Sequence, residues 1–424
     1  MSSLPSVDAP VRGRIVVPGS KSIANRALVI AALAEGESVL VGLPSGDDVT
    51  AMLAGLAVLG CSTRSSGVET RVVGTGGTFA GGGRIDALLA GTTSRFLTAV
   101  AALGETPTEV DGAAPLRRRP MAPLHDALRT LGFRVESSAR SGESLPVTVS
   151  HGSARGGRVV LPGDVSSQFV SALMMIAPVL REGLVIELST PLVSVPYVEL
   201  TAAVMAAFGG PEVEISATSI AVSPGRYTAA RYLIEPDASS ASYPWAAAAM
   251  TGGSVEVSGL RADALQGDVK FLSIAERMGC RVIDGEAGAR VEGPARLRGI
   301  DVDMNDCSDL VPTVAAMAVV AEGRSRIRGV GFIRNKESDR IGDLAEGLRR
   351  LGATVIEHDD GLEIEPAPLS GAALDVHHDH RLAMAWSVIA LVVEGVTIDD
   401  PSVVSKSWPG WWEVRATLAR AAEG

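Results

Sequence analysis

The chain repeats itself, and no other feature limits its fold so strongly. A polar or acidic cluster, an apolar run rich in small residues, a glycine and a short alternating stretch follow one another as SKSIANRALVIAALAEGESVLV from Ser20. The pattern returns as SSQFVSALMMIAPVLREGLVIEL from Ser166, DASSASYPWAAAAMTGGSVEV from Asp237, DCSDLVPTVAAMAVVAEGRSRIR from Asp306 and DHRLAMAWSVIALVVEGVTI from Asp379. A weaker copy, GTTSRFLTAVAAL, begins at Gly91. Successive starts lie 71, 75, 71, 69 and 73 residues apart, so six units of about 70 residues fill the 424-residue chain. Such units bury their apolar faces against one another. Six α+β units group as three plus three, with a junction near Asp237.

Each unit has two kinds of helix. Residues 23–34 and 381–393 are apolar almost all round, as expected of helices buried inside a domain. The second helices are amphipathic. Met121, Leu124, Leu128 and Leu131 form one stripe, and Ile341, Leu344, Leu348 and Leu351 form another. These helices end in a bulky residue and a glycine: Leu59-Gly60, Leu131-Gly132, Phe208-Gly209, Met278-Gly279 and Leu351-Gly352. Glycine at that place accepts the left-handed turn that stops a helix. Strands are expected at 38–41, 184–188, 254–257 and 325–328. Cys61 and Cys280 follow the stopping glycine at equivalent places and read as core residues, and with Cys307 they show no metal or disulfide spacing.

The chemistry is expected at the N-termini of the buried helices, whose first N–H groups lack partners within the helix. They carry Ser20-Lys21-Ser22, Thr92-Thr93-Ser94, Ser166-Ser167-Gln168, Ser239-Ser240, Asp309 and His380-Arg381. Ser239 and Ser240 read as plain N-caps. At four of the other starts a cation or an amide joins the turn: Lys21 with Arg26, Arg95, Gln168, and Arg381. A helix N-terminus beside a cation attracts anions. The chain has net charge −11, yet it concentrates cations at these starts and in Leu116-Arg117-Arg118-Arg119-Pro120 and Arg334-Asn335-Lys336-Glu337-Ser338-Asp339-Arg340. The last segment is expected to open a helix, with Lys336 and Arg340 at i and i+4 on one face. Only four of the 38 basic residues are lysines, Lys21, Lys270, Lys336 and Lys406, and two of them, Lys21 and Lys336, fall in these motifs. Lysine is a compact titratable charge that arginine does not replace.

Several function classes drop out. No Gly-Lys pair forms a phosphate loop, and Gly74-Thr75-Gly76-Gly77-Thr78-Phe79 breaks the dinucleotide fingerprint at Phe79. The acidic balance, with 4% aromatic residues, argues against nucleic-acid binding. Apolar runs such as 169–180 fall short of the roughly 20 residues that span a bilayer. The first residues show no signal peptide, and His377-His378-Asp379-His380 lacks the spacing of a metal site. A cytoplasmic monomer with no metal, cofactor, nucleic-acid or membrane partner is expected.

The segments PGSKSIANRAL, LAGTTSR, RRRPM, SSQFVSAL, DASSASY, KESDR and DHRLAMA, in this order over nearly the whole chain, resemble the 5-enolpyruvylshikimate-3-phosphate (EPSP) synthase family. The resemblance implies an α/β (α+β) fold: a two-domain inside-out α/β prism of six βαβαββ-type repeats, three per domain. One domain would comprise 1–19 with 237–424, the other 20–236, and the ligands would bind in the cleft between them. It also implies transfer of the enolpyruvyl group of phosphoenolpyruvate to the 5-hydroxyl of shikimate 3-phosphate, in aromatic amino-acid biosynthesis, and sensitivity to glyphosate.

Carried over by resemblance, Asp309, Glu337 and Lys21 would be catalytic. Lys21, Ser22, Arg26, Ser166, Ser167, Gln168, Ser194, Asp309 and Lys336 would bind shikimate 3-phosphate. Lys21, Gly91, Arg119, Gln168, Arg340, Arg381 and Lys406 would bind phosphoenolpyruvate, with Thr92 and His380 as further candidates. Gly91 is expected to leave room for a phosphate. Two positions depart from many members: Leu89 and Phe332 stand where asparagine is usual. The competing readings are a UDP-N-acetylglucosamine enolpyruvyl transferase and a non-catalytic anion-binding repeat protein. The first usually has a reactive cysteine in the loop that here runs from Ala113 to Arg119, and this chain has none there. The second gains nothing from Asp309 and Glu337, which repel an anion.

Overall fold

The computed structural model describes residues 2–138 and 144–420. The chain forms two compact units: a central one, Gly19–Ile234, and a terminal one that joins Met1–Pro18 to Glu235–Gly424. Each has its own hydrophobic core.

The repeat is visible as six small sheets among the described residues, five of four strands and one of three. In the first, Arg231–Leu233 runs parallel to Glu37–Val41, which pairs antiparallel with Glu69–Val73, and that strand pairs antiparallel with Ser62–Ser66. Closing this sheet needs a strand from the far end of the central unit. The equivalent sheet of the terminal unit is closed in the same way by the N-terminal strand Arg12–Ile15, parallel to Ser254–Val257. The strands at Leu184–Leu188, Ser254–Val257 and Ser325–Arg328 lie where alternation places them, and the first begins one residue earlier, at Glu37. The third sheet of the terminal unit is reduced to two-residue strands.

The apolar helices are interior. In the central unit they are Lys21–Leu33, Gly91–Ala101 and Ser167–Ile176; in the terminal unit, Ala238–Thr251, Val311–Ala318 and His380–Ile389. Their side chains are buried nearly without exception, because small residues let them pack on all sides. The last stops at Ile389, short of the expected 393. The amphipathic helices cover the outside, with Leu124, Leu128, Leu344 and Leu348 buried. Gly60, Gly132, Gly209, Gly279 and Gly352 all have φ between +68° and +101°, the left-handed stop expected of them. No helix among the described residues is long and apolar enough to cross a membrane.

Two local expectations fail. The segment from Lys336 to Arg340 is not a helix start. A short 3₁₀ turn, Gly331–Asn335, precedes it, and the next helix, Gly342–Arg350, opens only after Asp339 accepts the N–H groups of Ile341 and Gly342. Lys336 and Arg340 therefore share no helix face. Ser239 and Ser240 are not caps either. Asp237 caps that helix by accepting the Ser240 N–H, and the two serines lie inside its first turn.

Candidate active site

In the central unit the first turns of the three interior helices are laced together. Lys21 Nζ lies 2.9 Å from the buried Asp48 carboxylate. Thr93, two residues into the Gly91 helix, donates to the Asp48 carbonyl at 3.0 Å. Arg95 donates to Gln168 Oε1 at 2.5 Å, and its guanidinium sits 5.0 Å from the Phe169 ring centre. Ser166 caps the Ser167 helix by accepting the Gln168 N–H. Ser194, before the helix Val195–Ala207, holds a left-handed backbone at φ +56°. Non-glycine residues in that conformation cluster at functional sites.

Arg26 belongs to this framework. It is buried, and its guanidinium donates to Thr201 Oγ1, the Ser22 carbonyl, Ser171 Oγ and the Tyr197 carbonyl at 2.7, 2.9, 3.2 and 3.1 Å. The rings of Phe96 and Tyr197 lie 5.3 and 5.8 Å from it. Burial pulls its pKa down to about 10. Arg26 thus ties the first residues of the Val195 helix to the Lys21 and Ser167 helices.

The structure gives Gly91 a reason that needs no ligand. A Cβ there would meet Arg119 Nη1 at 2.3 Å and Cζ at 2.6 Å, so the glycine makes room for a guanidinium. Arg119, 7% exposed, is thereby laid across the first turn of the Gly91 helix, beside the half-buried Thr92.

The terminal unit holds the second group, and Arg340 is its hub. The side chain is 1% exposed and meets three carboxylates: Asp379 at 2.7 Å, Asp309 at 2.9 Å and Glu337 at 2.9 Å. Asp379 also caps the His380 helix and accepts from Ser338. Arg381 reaches Asp309 at 2.6 Å, and Lys406, at the end of the 3₁₀ turn Pro401–Lys406, reaches Glu337 at 3.1 Å. Lys336 lies 5.9 Å from the Phe332 ring centre, so the aromatic ring that replaces asparagine there packs against its ammonium group. His380 is buried beside Asp379, 3.8 Å from its carboxylate.

Electrostatics in this group run against burial. Burial disfavours charge on Asp309, but Arg381, Lys336 and Arg340 together outweigh it and hold its carboxyl well below the usual carboxylate range. Burial likewise opposes the Arg340 charge, and Asp379, Glu337 and Asp309 overcome it, so the guanidinium keeps its proton more firmly than usual.

Asp309, Glu337, Lys336, Arg340, Arg381 and Lys406 therefore form one cluster in the terminal unit, with Arg340 bridging its carboxylates and Lys406 paired with Glu337. Lys21, Ser22, Arg26, Gly91, Thr92, Arg119, Ser166, Ser167, Gln168 and Ser194 belong to the central unit. Sequence reasoning missed Asp48, Asp379 and Tyr197. Asp379 stood inside a quoted motif; Asp48 and Tyr197 had no local signal.

The EPSP synthase (3-phosphoshikimate 1-carboxyvinyltransferase) family model matches residues 6–414. A 3-phosphoshikimate 1-carboxyvinyltransferase of Nostoc punctiforme is 40% identical over 413 residues, covering 96% of this chain and 97% of the relative. One of Methanosphaerula palustris is 41% identical over 411 residues, with the same coverage. The solved structure of an EPSP synthase from Acinetobacter baumannii superposes with a TM-score of 0.81 at 26% identity, over 99% of this chain and 97% of that one. With six α/β units, cation-rich helix starts and these likenesses over nearly its full length, the chain belongs to the EPSP synthase family.

Proposed function

We propose that the chain transfers the enolpyruvyl group of phosphoenolpyruvate to the 5-hydroxyl of shikimate 3-phosphate and releases phosphate. Family membership supports the reaction, and the observation that carries the site is the Arg340 cluster. Three carboxylates and at least three cations occupy one place in the terminal unit, a composition suited both to binding anions and to moving protons.

The two substrates bring two phosphates and two carboxylates. Lys21, Gln168, Ser22, Ser166, Ser167 and Ser194 hold shikimate 3-phosphate, with Arg26 keeping their helices in register and Lys336 and Asp309 contributing from the terminal unit. Arg119, Gly91, Arg340, Arg381 and Lys406, with Lys21 and Gln168, hold phosphoenolpyruvate. Charge-assisted hydrogen bonds of this kind contribute about 1.5–3 kcal/mol each.

The 5-hydroxyl oxygen attacks the carbon that bears the phosphate, and its proton passes to Asp309. Glu337, in its protonated form, supplies a proton to the methylene carbon, giving a tetrahedral adduct, and takes one back as the double bond re-forms, while the phosphate leaves with the proton held by Asp309. The ligand-free Asp309 is too weak a base for this, because cations hold its pKa far down. Bound phosphoenolpyruvate draws Arg381, Arg340 and Lys406 toward its own charges. The pKa of Asp309 then rises, so the base strengthens only when the substrate is present.

The test is phosphate release with both purified substrates. Phosphate that requires shikimate 3-phosphate is the expected result. Release with UDP-N-acetylglucosamine in its place, or with neither acceptor, overturns the assignment.

A further inference from the structure

Beside the Arg340 cluster lies a further buried carboxylate. Asp268 is 3% exposed and sits in a short 3₁₀ turn, Gly267–Val269. The turn grips the start of the Ala238 helix. Gln266 Oε1 accepts the Ala238 N–H at 3.0 Å, and its amide donates to the Pro236 carbonyl at 2.8 Å. Ser239 donates its hydroxyl to Asp268 Oδ2. The same Ser239 oxygen lies 3.5 Å from Arg381 Nη2, the nitrogen that also reaches Asp309 at 2.6 Å. Next to it, Lys270 bonds Asp306 at 2.8 Å and ties this turn to the Asn305–Leu310 turn that carries Asp309.

We propose that Asp268 is a positioning residue: through Ser239 it aims the Arg381 guanidinium, and so sets the grip on phosphoenolpyruvate. Without this anchor Arg381 loses its contact on the Ser239 side as it turns toward the substrate. With it, Arg381 keeps one fixed contact while it exchanges Asp309 for a substrate oxygen. Burial, and after it the nearby Asp309 charge, push the Asp268 carboxyl up to about 7. Ser239 needs only an acceptor oxygen there, so the side-chain carbonyl of asparagine serves nearly as well as the carboxylate.

The proposal rests on Arg381 as a phosphoenolpyruvate ligand. The experiment is steady-state phosphate release by the full chain, with each substrate varied in turn and melting temperatures measured alongside. Turnover by the wild type checks the underlying assignment separately from the variants. Asp268→Ala and Ser239→Ala are each expected to raise KM for phosphoenolpyruvate about tenfold, with kcat changed less than about threefold. KM for shikimate 3-phosphate stays within about twofold. Asp268→Asn restores most of the loss, and the double alanine variant is no worse than the weaker single one. Should Asp268→Ala fail to fold, Ser239→Ala, which removes a single hydroxyl, carries the test. The proposal is overturned if the folded alanine variants keep the wild-type KM for phosphoenolpyruvate. It is equally overturned if both KM values and the melting temperature suffer together, or if Asp268→Asn is as impaired as Asp268→Ala.

Discussion

Gly91 and Asp309 show how single residues divide the work. Gly91 lets a guanidinium lie where a side chain would be, so Gly91→Ala must push Arg119 aside. Losing one well-aimed charge-assisted contact corresponds to roughly tenfold in binding. The expected result is a KM for phosphoenolpyruvate raised by about that factor, with a nearly unchanged melting temperature, measured by steady-state kinetics and thermal unfolding. Asp309 is a different case, because it is expected to act on a reacting proton. Asp309→Ala should bind both substrates and lose about 10²–10⁴-fold in turnover. Calorimetry that finds binding intact, with phosphate release near the wild-type rate, would remove Asp309 as the base.

At the scale of elements, the amphipathic helix Ala122–Thr130 carries a polar ring where its stripe demands an apolar one. His125 is fully buried and neither ring nitrogen has a hydrogen-bond partner. Burial, then Arg129, pulls its pKa down to about 4. As pH falls, the unfolded chain takes up a proton near 6.5 while the folded chain resists until about 4. Stability is therefore full above about pH 6.5 and lost as pH drops toward 4, by of order 3 kcal/mol from this group. His125→Leu should flatten the dependence of stability on pH across that window, as read by denaturant unfolding at several pH values. An unchanged slope contradicts the assignment. The 336–340 segment belongs to the same scale. Its charge pattern suits a helix, but Arg340 gains more by entering the core to meet Asp379, Asp309 and Glu337, and the helix waits until Asp339 can cap it.

For the whole molecule, the chain passes from one unit to the other twice, at Pro18–Gly19 and at Ile234–Glu235. The residues proposed to bind the substrates belong to both units, so binding both substrates should stabilise the protein more than either does alone. At a ligand concentration 100 times its Kd the gain is about 2.7 kcal/mol. Scanning calorimetry should show the largest rise in melting temperature with both substrates, or with phosphate and shikimate 3-phosphate together. Equal and additive shifts would place the two ligands on independent sites.

The repeat, its interior and exterior helices, the glycine stops and the cations at the helix starts follow from the order of residues alone. These are local: period, propensity and charge at one end of a helix need no distant partner. Tertiary structure decided how those charges are used. Asp379 and Asp309 lie 39 and 31 residues from Arg340, yet all meet in one buried group, and the strand that closes the terminal unit's first sheet comes from the N-terminus. A buried charge must find its counter-charge wherever the packing brings one. That pairing lies in space rather than along the chain, which is why Asp48, Asp268 and Tyr197 became legible only in the folded protein.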